Sequence, residues 1–303
     1  MTSNHGHFVW YELLTTDMGA AEGFYREVVG WDARDASTQQ FPYRLLTNAE
    51  APVCGVMALP PEALRSGAMP RWAGYVAVAD ADAAAERLRA LGGRVYVQPT
   101  DSNIGRIAIV ADPQTATLAL VEGLKFAPPR ATAATVGRVG WHELLAADGP
   151  AAFSFYSSWL GWQKAADDVG AIEGYQLFSA GADTIGGIFT KLPRAPVPFW
   201  LYYFNVADLT AALQRVRTLG GRVAQGPVEL PDGIWIARCI DPQGAMFALQ
   251  GKRLGEIEKT AAVEVGWSAE WGGFTSRGRI VSPPLSQSAQ RDQAPSASRK
   301  PKR

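Results

Sequence analysis

Histidine is scarce in this sequence: His5, His7 and His142 are the only three in 303 residues. A catalytic metal site usually takes about three protein ligands, imidazole or carboxylate for hydrolytic or oxygen chemistry, so an imidazole-rich centre is hard to assemble here. Cysteine is scarcer still. Cys54 and Cys239 stand far apart with no Cys-x-x-Cys, which argues against a disulfide framework or a zinc ribbon and suits reduced thiols in a cytosol. Neither sign of charge is in excess, Lys+Arg and Asp+Glu both being 29, so nothing global draws the chain to nucleic acid. No apolar run approaches the roughly 18 residues of a membrane span, and no secretory signal is visible. The chain is therefore expected to be cytoplasmic, with neither a membrane nor nucleic acid as partner. Nor does a Gly-x-Gly-x-x-Gly follow any strand pattern, which removes the dinucleotide fingerprint.

What is present is a duplication. Trp10-Tyr11-Glu12-Leu13-Leu14 returns as Trp141-His142-Glu143-Leu144-Leu145, followed in both copies by an acid, an aromatic pair (Phe24-Tyr25, Phe155-Tyr156) and a Gly-Trp (Gly30-Trp31, Gly161-Trp162). A fixed register kept over both a strand-like and a helix-like stretch marks an internal repeat.

Within each repeat the plan recurs again. Residues 8–14 alternate as a half-buried strand; Asp17 caps a helix whose apolar positions Ala21, Phe24, Tyr25, Val28 and Val29 share one face, and Gly30 stops it. Shorter strands are expected at 43–47 and 53–57, then a Pro-marked connector over 59–70. The next unit repeats this with strand 72–78, a capping Asp80 or Asp82, a helix to Gly92-Gly93, and strands at 94–97, 106–110 and 118–121 after the turn Asp112-Pro113-Gln114. The second repeat follows suit, ending after Asp241-Pro242-Gln243. Four βαβββ modules result. They are expected to form one domain over 1–123, a Pro-bearing linker at 124–137, a second domain over 138–251, and a tail over 252–303. Its last part, 274–303, carries seven basic residues against Asp292 and too little apolar content to order itself.

These features together resemble the vicinal oxygen chelate superfamily, which contains glyoxalase I, bleomycin-resistance proteins and extradiol dioxygenases. The likeness rests on the four modules, the first helix ending in Gly-Trp, Leu-Gly-Gly-Arg-Val at 91–95 and 219–223, and the two Asp-Pro-Gln turns. It covers about residues 7–251 and implies an α+β fold of two glyoxalase-like domains, each a cup of incomplete sheet. In such enzymes His and Glu on the first and last strands of paired modules hold a divalent metal. The ligand-like positions here are Trp10, Gly74, Trp141 and Tyr202 on first strands and Ala119 and Ala248 on last strands, with Gly55 and Gly186-Gly187 in the remaining modules. None supplies a metal ligand. No cofactor is expected, a divalent metal being the alternative.

Two kinds of residue remain as site candidates. Glu12 and Glu143 lie on apolar strand faces, where desolvation would raise a carboxyl pKa toward proton-transfer range. The competing role is structural, each acid accepting hydrogen bonds from a neighbouring strand or pairing with an arginine such as Arg106 or Arg238. Duplication favours that role. The rings Trp10, Trp72, Trp141, Trp200 and Tyr202, with Gly74 as an empty position, are expected to line the cups as an apolar ligand-binding wall. Gly74 against Tyr202 makes the first cup the roomier one. His142 is expected to point away from Trp141 and Glu143, packed between sheet and helix.

Three functions fit. The first is a metal-independent binder of a small apolar or aromatic molecule, working as monomer or homodimer. The second is a glyoxalase-like lyase or hydroxylase-type enzyme using Glu12 or Glu143. The third is a partner-binding scaffold acting through the basic tail.

Overall fold

The computed structural model describes residues 4–39, 41–125, 135–165, 174–191, 197–230 and 232–254. The linker segment 126–134 and nearly all of the basic tail lie outside the described residues.

The first half contains β1 (Phe8–Thr15), α1 (Met18–Val29), β2 (Asp32–Asp35), β3 (Arg44–Asn48), β4 (Ala51–Ala58) and a short α2 (Pro61–Arg65). It continues through β5 (Arg71–Ala77), α3 (Ala81–Ala90), β6 (Arg94–Asp101), β7 (Arg106–Ala111) and β8 (Thr117–Glu122). The second half contains β9 (Val139–Ala146), α4 (Gly149–Leu160), β10 (Gln163–Lys164), β11 (Tyr175–Ala180) and β12 (Asp183–Thr190). It closes with β13 (Phe199–Val206), α5 (Leu209–Thr218), β14 (Arg222–Glu229), β15 (Trp235–Ile240) and β16 (Met246–Gly251). Each half is one eight-stranded sheet, ordered β2-β3-β4-β1-β5-β8-β7-β6 and β10-β11-β12-β9-β13-β16-β15-β14. The two orders are the same under the repeat, so the fold is α+β with two equivalent domains. Sequence alternation missed β2 and β10, which are short and exposed, and it read α2 as part of a connector.

Local chemistry sets these elements. Asp17, Asp80, Asp148 and Asp208 sit extended before α1, α3, α4 and α5, and each accepts a backbone N–H of the first turn at 2.9–3.0 Å. Gly30 and Gly161 end α1 and α4 in the left-handed conformation, with φ of 85° and 75°.

Every strand of a sheet has two faces, and here the two faces serve different purposes. The back faces of the two sheets, with α1, α3, α4 and α5, form one continuous core that runs through both halves. The front faces carry two smaller separate clusters, one around Trp10, Tyr75, Ile104, Ala119 and Val121 and one around Leu145, Leu201, Tyr203, Val228, Ile236 and Ala248.

The core shared by the halves is held by equivalent residues from each. Tyr25 donates to Asp241 at 3.0 Å and Tyr156 donates to Asp112 at 3.1 Å, the aromatic pair of one repeat reaching the Asp-Pro-Gln turn of the other. Trp31 donates to the Gly137 carbonyl at 2.7 Å and Trp162 to the Gly6 carbonyl at 2.8 Å. Tyr11 and His142, which occupy the same position in the two copies, meet at 2.6 Å. The halves thus associate as the protomers of an isologous dimer do, each patch against its own copy. The repeat signature is largely this interface.

Candidate functional site

The front face of the first sheet is built by alternation along β1 and β5. Trp10 pairs with Tyr75 and Glu12 with Ala73, while Tyr11 pairs with Gly74 and Leu13 with Trp72 on the back. A register shift between Phe8 and Trp10 turns Phe8 to the back as well, where it stacks on His142 with ring centroids 4.2 Å apart. On the second sheet Tyr203 pairs with Trp141 and Leu201 with Glu143 on the front; Tyr202 pairs with His142 and Trp200 with Leu144 on the back.

This corrects the expected cup lining. Trp10, Glu12, Trp141 and Glu143 lie on the front faces of the two sheets. Trp72, Gly74, Trp200 and Tyr202 belong to the core between the halves, with Trp72 4.9 Å from Phe204 and Trp200 5.3 Å from Phe8, centroid to centroid. Gly74 is not vacant space either. Its backbone N–H donates to the Tyr202 hydroxyl at 2.8 Å, and a Cβ there would stand 2.6–2.8 Å from Tyr202 and Phe8 atoms. Gly74 therefore does not make the first cup the roomier one. His142 lies among the same back-face rings. It is linked to Tyr11 through Nε2 and to the Ile185 carbonyl through Nδ1, both at 2.6 Å, and burial lowers its pKa to about 4.

At the base of each cup the same cage recurs. In the first, Tyr43 donates to Glu12 Oε1 at 2.5 Å and Tyr75 donates to Oε2 through a short bond, while the Trp10 indole N–H reaches the Tyr43 hydroxyl at 3.4 Å. Gly55, across from Glu12 on β4, leaves the space that the Tyr43 ring fills; a Cβ there would overlap the phenol. In the second cup Tyr203 donates to Glu143 Oε2 at 2.9 Å and Trp141 donates to the Tyr175 hydroxyl at 2.8 Å. Gly187, across from Glu143, gives way to the Tyr175 ring in the same manner. The glycines at positions where the resemblance places metal ligands are thus room for tyrosines. Sequence reasoning missed Tyr43, Tyr75, Tyr175 and Tyr203; the signal was the glycine facing each acid.

The two cages differ in charge. Arg238 Nη2 is 2.6 Å from Glu143 Oε2, its Nη1 donates to Gln225 at 3.0 Å, and both charged partners are buried. Arg106, the other arginine considered, instead pairs with exposed Asp82 and Asp101. The place of Arg238 on the first sheet is held by Ile109: Arg238 pairs with Ala248, Ile109 with Ala119. Glu12 is 5% exposed. Burial pushes its carboxyl above the usual range, against the pull of hydrogen bonds from Tyr43, Tyr75 and Trp10.

Comparison with known proteins places this architecture. A sequence model of the Glyoxalase/Bleomycin resistance protein/Dioxygenase superfamily matches residues 6–120 and again 138–249. The chain belongs to that superfamily. It is 31% identical over 245 residues to a glyoxylase-named protein, CFP32, of Mycobacterium bovis and Mycobacterium tuberculosis, covering 79% of this chain and 92% of the relative. It is 29% identical over 264 residues to the anthracycline biosynthesis protein DauV of a Streptomyces species, covering 79% and 91%. Among solved structures, the Mn(II)-bound glyoxalase of Novosphingobium aromaticivorans shares the fold at a TM-score of 0.57 and 14% identity, with 83% of each chain covered. The dioxygenase LapB of Pseudomonas sp. KL28 does so at 0.57 and 10%, covering 85% of this chain and 96% of LapB.

A divalent metal, such as the Mn(II) of the Novosphingobium glyoxalase, does not fit the residues of these faces. Among the described residues no group of three or more His, Cys, Asp or Glu side chains comes together. Among the described residues each cage has one carboxylate. In the first both its oxygens accept tyrosine hydroxyls, and in the second it is paired with Arg238. Such a donor set is short of what a catalytic divalent cation takes.

Proposed function

We propose that the protein is a metal-independent binder of a small apolar, ring-bearing molecule, held in a front-face cup against the Trp-Tyr-Glu cage. The observation that carries this reading is the cage itself. Where the superfamily's metalloenzymes place ligating side chains, both cups place a tryptophan, two tyrosines and a single neutralised or shared acid, walled by Leu, Ile, Val and Ala. Flat rings with few polar groups suit an aromatic ligand. Two relatives named for anthracycline biosynthesis agree with a fused-ring aromatic as its class.

The test is equilibrium dialysis of the full chain in EDTA against neutral fused-ring aromatics and charged analogues of similar size. Binding of a neutral member with a roughly micromolar Kd is expected. A folded protein that binds no member of the set would contradict the reading.

Among the described residues no helix is long and apolar enough to cross a membrane. A role for the basic tail concerns residues outside those described.

A further inference from the structure

The two front faces carry the same cage, but its tryptophan is fully buried in the first and only partly buried in the second. In the first, the cage is covered by its own loop. Ile104, between β6 and β7, is 2% exposed and packs with Trp10, Tyr75 and Val121. The loop is fastened on both sides: Ser102 Oγ donates to the Gly105 carbonyl at 2.6 Å, the Lys125 backbone N–H to the Ile104 carbonyl at 3.0 Å, and Lys125 Nζ to the Ser102 carbonyl at 2.9 Å. Trp10 beneath it is 0% exposed.

In the second, Trp141 stands in the place of Trp10 and is only partly buried, as are Phe199, Met246 and Leu230 packed on the same face. The indole is already aimed: its N–H is held by Tyr175, whose ring is seated over Gly187. A ring fixed in this way binds with little ordering cost. Beneath it, Glu143 and Arg238 cancel each other's charge, so the floor favours neither anions nor cations.

We infer that the working site is the second cup, one per chain, in which a neutral flat fused-ring molecule stacks on Trp141, on the front face that also carries Phe199, Met246 and Leu230, while the first cup is closed by Ile104. This rests on the binding reading above and adds which cup, which face and what charge.

The experiment titrates the full chain with quinizarin, a neutral flat quinone, and compares wild type with Trp141→Leu, Met246→Glu and Leu45→Glu, Leu45 being a partly buried residue packed on the first-half front cluster as Met246 is on the second. Thermal melts accompany each variant. One equivalent should bind wild type. Trp141→Leu and Met246→Glu should each weaken binding at least about tenfold, which is about 1.4 kcal/mol, with Leu45→Glu unchanged. Met246→Glu guards against misfolding, because it acts from the partly exposed wall. Two equivalents per chain, or binding kept in both second-cup variants and lost in Leu45→Glu, overturns the assignment and leaves the binding reading intact. No binding to wild type overturns both.

Discussion

Tyr11 and His142 occupy the same position in the two repeats and are hydrogen bonded to each other at 2.6 Å. The approximate symmetry axis of the chain passes between them. A neutral imidazole fits this place, accepting at Nε2 from the phenol and donating from Nδ1 to the Ile185 carbonyl.

That neutrality sets a pH dependence. Burial lowers the pKa of His142 from 6.5 to about 4, so between those values the unfolded chain takes up the proton and the folded one does not. Stability from this group is fully present above pH 6.5 and is lost as pH falls to 4, by roughly 3 kcal/mol in all. His142→Gln can keep both hydrogen bonds and does not titrate. Urea unfolding should show the variant less stable than wild type at pH 7 and the gap closing, or reversing, by pH 4.5. Because the difference between the two proteins is followed, other titrating groups cancel.

Glu12 has the opposite sign. Its pKa is raised by burial, so ionisation in the unfolded chain is easier than in the folded one, and its contribution to stability is lost as pH rises above 4.5 through the folded value. Glu12→Gln should therefore gain stability relative to wild type as pH rises from 4.5, and a parallel pair of stability curves would disprove a poised acid.

Glu143 depends on Arg238. Removing the guanidinium leaves a buried carboxylate without its cation, at a cost of about 3–5 kcal/mol. Arg238→Met should show that loss in chemical denaturation, and adding Glu143→Leu should restore a good part of it. An additive double mutant would mean that the pair is not coupled.

The glycines beneath the cages can be told apart from ordinary ones. Gly55→Ala or Gly187→Ala drives a Cβ into Tyr43 or Tyr175 and should destabilise by roughly 1–3 kcal/mol, as overpacking does. Gly23→Ala, inside α1 with nothing within 4 Å of the new Cβ, should instead be neutral or stabilise by up to about 1 kcal/mol. Thermal melts of the three variants rank them.

The duplication, the modules and the capping aspartates were legible in sequence because they depend on local spacing. Which face of each strand meets a cup was not. Alternation alone cannot choose between Trp72-Gly74 and Ala73-Tyr75; the antiparallel register of β5 against β1 decides it, and that register is a long-range property. A shift between Phe8 and Trp10 also broke the alternation that would have kept Phe8 with Trp10. The Asp-Pro-Gln turns were visible as turns, but nothing in the spacing of Asp241 points to Tyr25, on the other half of the chain.

Binding without a metal is checked by stripping the full chain with chelator, titrating Zn, Ni, Fe and Mn, and measuring bound metal by elemental analysis. No stoichiometric binding that depends on Glu12 or Glu143 is expected. One equivalent of any of the four, retained through gel filtration and lost in Glu12→Gln or Glu143→Gln, would contradict it and return the chain to the superfamily's metalloenzymes.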